Sequence, residues 1–189
     1  MALTKVRDGG TDFTGAISSM KLLLNATISS AVAEYDISST YINSTYDSYH
    51  LIASLRPASD GPDLYGRFFV GGSIDTGNNY GYEGHPMDGG STFSGGDTGY
   101  MRFNRYAIGS GSGEGTTIVS TLTDINSTVR PASWVGTQHG GYTSAAISGN
   151  PFANGHEIQN AGDVVNGIRL YFSSGNIESG SIQLYGIVK

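Results

Sequence analysis

The sequence has 189 residues, 38% hydrophobic and 29 of them glycine, so its length and composition suit one folded domain with a real core. Its net charge of −6, without a basic stripe, excludes a protein that depends on nucleic-acid phosphates, and the absence of cysteine excludes disulfides, thiolate metal sites and a cysteine nucleophile. No apolar run is long enough to cross a bilayer, and the polar start "MALTKVRDGG" predicts neither membrane insertion nor an export signal.

The first twenty residues differ in pattern from the rest of the chain. "MALTKVRDGGTDFTGAISSM" shows no clean hydrophobic period, so we interpret residues 1–20 as an arm and residues 21–189 as the folded domain. The arm is too short and polar to fold alone, which predicts that it attaches the protein to something else. Its expected anchors are the larger apolar side chains, namely Leu3, Val6, Phe13, Ile17 and Met20.

From Lys21 onwards the chain alternates like a series of half-buried strands. "KLLLNATIS" and "AVAEYDI" are the first two predicted strands. "YHLIASLRPA" and "LYGRFFVGG" lie on either side of "SDGPD", whose Gly and Pro are typical of a tight turn, so we expect these two strands to be neighbours. The glycine-rich stretch 71–99 is predicted to be mostly loop.

The second half of the chain continues the same pattern. "YMRFNRYAIG", "TTIVSTLTDI" and "STVRPASWVGTQHGG" are predicted strands, and "NPFANGHEIQNAGD" is a predicted loop. No segment shows a capped helical period. About eight to ten short strands with glycine-rich joints predict an all-β fold, an antiparallel β-sandwich of jelly-roll type.

The chain closes with "GIRLYFSSGNIESGSIQLYGIVK", which we predict to be a hairpin. Its core-facing positions are Ile168, Leu170, Phe172, Ile182 and Leu184. Tyr171, Tyr185 and Ile187 would face outward on the other side. Two interpretations of this outer stripe stay open: the tyrosines pair across the strands, or the stripe forms a subunit interface.

No motif in the sequence points to catalysis. There is no G-x-S-x-G elbow, no phosphate loop with its lysine, and no carboxylate pair that stands out among the acids. The four histidines lack the spacing of a metal site. We therefore expect no enzyme activity, no metal and no cofactor.

Two polar, glycine-rich stretches carry aromatic residues of the kind that stack on sugars. These are "GNNYGYEGHPMDGG" (77–90) and "SWVGTQHGGY" (133–142). Their candidate glycan contacts are Tyr80, Tyr82, Glu83, His85, Trp134, Gln138, His139 and Tyr142. The competing interpretation, that these rings cap the sandwich or pack between subunits, is the simpler one because long loops need anchors.

Three segments resemble a known group of proteins: "MALTKV", "STYDSYHLIASLRPASDG" (44–61) and "IRLYFSSGNIESGSIQLYGI" (168–187). They are similar to small tail-fibre-like and virion structural proteins of tailed bacteriophages, particularly marine and freshwater phages. The resemblance is close in these segments and loose over residues 21–189. It implies an antiparallel β-sandwich in a virion, often as a homotrimer, without catalytic residues.

The expected function derives from this resemblance. The protein would be a non-enzymatic tail-fibre-type component, assembled in the host cytoplasm, that docks on other virion proteins through its arm and binds host-surface polysaccharide through its loops. The absence of cysteine suits assembly in a reducing cytoplasm. Two alternatives remain: a capsid decoration protein that stabilises the head, and a free carbohydrate-binding module or glycan hydrolase.

Overall fold

The computed structural model describes residues 7–8, 11–12, 20–86, 91–141, 147–156 and 164–187. Within these ranges the fold is all-β, with fifteen strands and no helix. The strands are β1 (Arg7–Asp8), β2 (Thr11–Asp12), β3 (Met20–Ile28), β4 (Glu34–Ile37), β5 (Ser48–Pro57), β6 (Leu64–Val70), β7 (Ser73–Ile74), β8 (Tyr80–Gly84), β9 (Phe93–Thr98), β10 (Met101–Arg102), β11 (Gly115–Thr123), β12 (Ser133–Gly141), β13 (Ile147–His156), β14 (Val165–Phe172) and β15 (Ile177–Ile187).

Thirteen of these strands form two antiparallel sheets that pack into a β-sandwich, which confirms the predicted fold class. The large sheet has eight strands in the order β3-β15-β5-β11-β12-β13-β8-β9. The small sheet has the order β10-β6-β14-β4, with β7 paired to β6. The strand count exceeds the prediction because some strands are two residues long and because the glycine-rich stretch contributes β8 and β9.

The core lies between the sheets and reflects the period-two pattern of the strands. In β5 every second residue from Tyr49 to Pro57 is buried, as expected for a strand with one dry face. At the centre the Trp134 ring lies 4.7 Å from Phe103 and 6.1 Å from Phe68, measured between centroids. Gly66 makes room for these rings, because a Cβ there would lie 2.8 Å from the Phe103 ring.

The predicted pairing of the strands around "SDGPD" is wrong. β5 belongs to the large sheet and β6 to the small sheet, so the intervening turn crosses the sandwich instead of closing a hairpin. Gly61 has a φ of 101°, and its N–H donates to the carbonyl of Ile108. The Asp60 carboxylate accepts from the backbone and hydroxyl of Ser110. The turn is therefore tied to a distant segment, which directs it away from a local hairpin.

The predicted closing hairpin is wrong for the same reason. β14 lies between β6 and β4 in the small sheet, whereas β15 lies between β3 and β5 in the large sheet. The segment between them is held across the sandwich, since Ser173 donates to the Asp63 carbonyl and Ile177 exchanges two backbone hydrogen bonds with Val32. The predicted inner residues are buried, but each strand covers a different side of the core. These residues are Ile168, Leu170, Phe172, Ile182 and Leu184.

The divergence of β14 and β15 separates the outer stripe predicted for the hairpin. Tyr171 faces outward from the small sheet, and Tyr185 and Ile187 face outward from the large sheet. A Tyr171–Tyr185 pair across neighbouring strands is therefore wrong, whereas the alternative of a subunit interface stays a prediction, with its three residues on two different faces.

The arm is described only in part. β1 and β2 pair with each other. Leu3, Val6, Phe13 and Ile17 lie outside the described residues. Met20, the fifth expected anchor, is the first residue of β3 and lies opposite Ile187, so it belongs to the large sheet rather than to the arm.

Candidate functional site

Three of the predicted glycan contacts are core residues. Tyr80, Trp134 and Gln138 are each no more than 1% exposed. The Tyr80 hydroxyl donates to the Asp75 carbonyl and accepts from the Phe68 N–H, both at 3.0 Å. For these three residues the prediction of a surface contact is wrong, because their side chains point between the sheets.

The polar groups of Trp134 and Gln138 are satisfied inside the protein. The Trp134 indole N–H donates to the Ser120 hydroxyl at 2.8 Å, and the Gln138 amide donates to the Thr116 hydroxyl at 2.7 Å. These bonds remove most of the cost of burying a polar atom, so both side chains serve the core.

The remaining predicted contacts do not form one site. Glu83 and His85 are exposed and lie 3.3 Å apart. His139 lies on β12, separated from β8 by β13. Tyr142 lies outside the described residues. Of the aromatic candidates that the structure describes, only Tyr82 reaches the surface, where it is half-buried.

Tyr82 belongs to a tyrosine cluster, by which we mean Tyr65, Tyr82, Tyr100 and Tyr171. The Tyr65 and Tyr100 rings stack at 4.1 Å, and the Tyr82 and Tyr100 rings stack at 6.1 Å. Tyr171 meets Tyr65 edge to face at 5.7 Å. Tyr65 and Tyr171 are register partners on β6 and β14, so the cluster runs from the outer face of the small sheet to β8 of the large sheet.

The cluster packs against a glycine of β9, and three of its four hydroxyls have raised pKa values. The Tyr82 ring packs against Gly95 of β9, where a Cβ would sit 2.6 Å from the ring. Burial raises the pKa of the Tyr65, Tyr82 and Tyr171 hydroxyls, and a hydrogen bond with Tyr100 raises the pKa of Tyr65 further. These phenols therefore stay protonated.

Arginines complete this outer face of the small sheet. The Arg67 guanidinium lies 5.2 Å over the Tyr171 ring, and its Nε donates to the Gly99 carbonyl at 2.7 Å. Arg169 binds both carboxylate oxygens of Asp36 at 2.7 and 2.8 Å. It also contacts Glu34 at 2.8 Å. We call this surface the tyrosine–arginine face: the tyrosine cluster with Arg67, Arg169, Asp36 and Glu34.

A partly buried polar network supports one edge of the tyrosine–arginine face. Asp63 accepts hydrogen bonds from Arg102 and from Asn104, each at 2.9 Å, and the Asn104 side-chain oxygen accepts from the Leu64 N–H. Burial raises the pKa of Asp63, and Arg102 opposes that rise. Both donors meet the same carboxylate oxygen, so the network fixes the segment after β10 against the start of β6.

The outer face of the large sheet has a different chemistry. Four neighbouring strands present four aligned residues each, which we call the large-sheet face. It consists of Ile187, Tyr185, Gln183 and Ser181 on β15, Ser48, His50, Ile52 and Ser54 on β5, Thr123, Thr121, Val119 and Thr117 on β11, and Ser133, Val135, Thr137 and His139 on β12. None of these is Lys, Arg, Asp or Glu.

A polar groove of about 420 Å³ lies at one end of the large-sheet face. Arg56, Glu114 and His139 line it, together with the hydroxyls of Ser54 and Thr117, which hydrogen-bond at 2.8 Å. Glycines of β11, β12 and β15 contribute backbone to its walls. Its groups can donate to and accept from a hydroxyl-rich ligand.

Sequence reasoning missed the tyrosine–arginine face, although a local signal for it exists. In "LYGRFF" Tyr65, Arg67 and Phe69 alternate with Leu64, Gly66 and Phe68, and the second set is buried. The outward set was therefore visible as a pattern. Tyr82 and Tyr100 complete the cluster only because of the order of the strands in the sheets, and the local pattern contains no information on that order.

The described ranges offer neither a metal site nor a membrane-spanning helix. They contain no group of three or more His, Asp or Glu placed to hold a metal ion. Within the same ranges there is no helix long and apolar enough to cross a membrane.

Comparisons of the chain with protein-family models, with curated proteins and with solved structures find no match. The resemblance to phage proteins therefore depends on the three sequence segments alone.

Proposed function

We propose that this protein is a non-enzymatic structural component of a tailed-bacteriophage particle, of the tail-fibre or appendage type. Its N-terminal segment would attach it to the virion, and its β-sandwich would act through surface contacts. The three phage-like segments support the class of protein. The tyrosine–arginine face supports the mode of action and is the observation that carries the proposal.

The composition and order of this face suit a protein partner. Tyr and Arg are, with Trp, the residues enriched where binding energy concentrates in protein interfaces. Here their side chains are already held, Arg67 by Gly99 and Arg169 by Asp36, so that little conformational entropy remains to be lost on binding. A neighbouring virion protein is the expected partner.

The same geometry makes a sugar a poorer fit to this face. Binding of a pyranose ring needs an open aromatic face, but Tyr100 stacks on Tyr65 and on Tyr82, and Tyr82 packs against Gly95. Rings that carry a hydroxyl suit the mixed polar and apolar surface of a protein.

The placement of the protein tests the proposal directly. Intact particles would be labelled with an antibody to this protein and imaged by electron microscopy. Label on the tail is the expected result. Label on the head would replace the tail-fibre assignment by the capsid decoration alternative, and label-free particles would show that the protein is not a virion component.

A matched pair of variants tests the contact face. Arg67→Ala removes the guanidinium over Tyr171, whereas Arg130→Ala removes an arginine that is 75% exposed and pairs with Asp124 at the end of the large sheet. We expect Arg67→Ala to reduce incorporation into particles several-fold and Arg130→Ala to leave it unchanged. Equal incorporation of the two variants, with circular dichroism showing both to be folded, would contradict the role of this face.

The polar groove favours host-surface polysaccharide as a second candidate function. Its carboxylate, guanidinium and hydroxyl groups are those that bond sugar hydroxyls, and loops on rigid scaffolds often carry binding sites. A glycan array probed with the full chain and with His139→Ala tests this idea. Binding that is lost in His139→Ala supports it, and no binding of the wild-type chain removes it.

A further inference from the structure

The outward side of a sheet in a soluble protein ordinarily carries charged side chains, and the large-sheet face carries none over its sixteen positions. At the chain's average of 14% charged residues, about two charges would be expected there, and exposed surfaces usually hold more. Its side chains nevertheless remain partly exposed, Val135 to 40%.

The uncharged surface continues beyond these four strands on both sides. β3 adds Leu22, Asn25 and Thr27 opposite β15, and β13 adds Pro151 and Ala153 opposite β12. The first charge is Glu83 of β8, opposite Ala153. Along the strands, the uncharged surface ends at Arg56 and Glu114 on one side and at Asp47 and Asp124 on the other.

From these observations we propose that two copies of this chain pack face to face through the large-sheet face, related by a two-fold axis. The proposal goes beyond the proposed function, because it concerns self-association and not the tyrosine–arginine face. Since Ser54, Thr117 and His139 belong to both the large-sheet face and the polar groove, such a dimer would compete with a polysaccharide in that groove. The partner is a second copy of the same sheet.

The size of the surface fits such a dimer. Six strands about 4.8 Å apart and about eight residues at about 3.3 Å each give an area of roughly 750 Å². Stable interfaces bury about 800 Å² on each partner. The surface is therefore large enough to hold a dimer without any contribution from the loops.

The chemistry of the surface selects a second copy over a charged partner. Each chain has a net charge of −6, so two copies repel wherever their charged surfaces meet. A face without Lys, Arg, Asp or Glu can meet itself with little of that cost. It offers no ion pair to an acidic or basic protein, a nucleic acid or a lipid headgroup.

The shape of the surface also suits the packing of two sheets. Most of the outward side chains are Ser, Thr, Val or Ile, which are short or β-branched and allow two sheets to approach to about 10 Å. Val119 lies in the interior of the grid, between Ile52 and Thr137 on the neighbouring strands. A substitution there affects the proposed contact without touching the core.

Sedimentation of the full chain at micromolar concentration tests the proposal. The wild-type protein is expected to be a dimer. Val119→Lys should raise the dissociation constant at least about a hundredfold, because each copy would bury an unpaired charge. The control is Val129→Lys, the same change at a valine that is 85% exposed, and it should leave the dimer intact.

Three outcomes would overturn the proposal: a wild-type monomer, a trimer such as the phage resemblance implies, or a dimer that Val119→Lys does not weaken. A second measurement covers the case in which Val119→Lys fails to fold. Because the chain has no cysteine, Thr121→Cys and Val129→Cys each place one thiol for maleimide labelling. Labelling of Thr121→Cys should slow as the protein concentration rises, whereas labelling of Val129→Cys should not; equal rates at all concentrations would contradict the interface.

Discussion

Truncation of Trp134 separates a core role from a ligand-binding role for this residue. The side chain is fully buried, packs on Phe103 and Phe68, and donates to the Ser120 hydroxyl. Trp134→Ala should cost about 3–5 kcal/mol of unfolding free energy, a large part of the roughly 5–15 kcal/mol typical of a domain. For a chain of this size, a loss of about 4 kcal/mol lowers Tm by about 8–16 °C.

A thermodynamic cycle resolves the hydrogen-bond contribution. Trp134→Phe should cost about 1–3 kcal/mol, because the ring is smaller and the Ser120 hydroxyl loses its donor. In Trp134→Phe/Ser120→Ala both partners are gone, so the double variant should cost about 0.5–1.5 kcal/mol less than the sum of the two single changes. Strict additivity would show that the bond contributes nothing.

Denaturant unfolding followed by circular dichroism is the appropriate assay, since Trp134 is the single tryptophan and its fluorescence is lost in every variant of this position. The control is Val129→Ala, at a side chain that is 85% exposed, which should change stability by less than about 0.5 kcal/mol. A Trp134→Ala protein within about 1 kcal/mol of the wild type would refute the buried position of the ring.

Two further predictions concern the core. Burial raises the pKa of Tyr80 above its ordinary value of 10.0, so the folded protein keeps a proton that the unfolded chain releases; stability should be complete below about pH 10 and fall above it. An equal denaturation midpoint on both sides of pH 10 would contradict this. Gly66→Ala should cost about 1–3 kcal/mol in the same unfolding assay, because its Cβ would meet the Phe103 ring. The control Gly96→Ala has open space at its Cβ and should cost less. A larger cost for Gly96→Ala than for Gly66→Ala would contradict the packing around Gly66.

The sequence was sufficient to predict the buried residues of β14 and β15, although not those of every strand. Ile168 and Leu170 belong to an alternation that is visible within a few residues, and alternation requires no knowledge of the partner strand. The same local information predicted the fold class, because short alternating runs without helical periods leave only all-β architectures.

The strand partners could not be predicted in the same way. β5 and β6 are joined by a turn of the expected composition, yet the turn is tied to Ile108 and Ser110, which lie far along the chain. Turn residues set the backbone conformation locally, whereas the sheet that the next strand joins depends on such distant contacts. For the same reason the sequence could not show that Tyr82 and Tyr100 come together.

Glycine-rich strands explain why β8 and β9 were predicted as loop, and a buried hydrogen bond explains why Gln138 was predicted at the surface. β8 and β9 contain "YGYEG" and "FSGGDT", in which glycine interrupts the pattern that marks a strand. From the sequence alone, Gln138 is predicted to lie at the surface. In the structure its amide donates to the Thr116 hydroxyl on β11, and the side chain is buried. A polar side chain is predicted outward by default, and only a partner supplied by the fold reverses that expectation.

The separation of β14 and β15 gives the sandwich two chemically distinct outer faces. β14 places Tyr171 and Arg169 on the tyrosine–arginine face, and β15 places Tyr185 and Ile187 on the large-sheet face. Because the faces lie on opposite sides of one core, a second copy on the large-sheet face would leave the tyrosine–arginine face of each copy open. If both proposals hold, a second copy would bind one face and a neighbouring virion protein the other, so the two contacts would not compete.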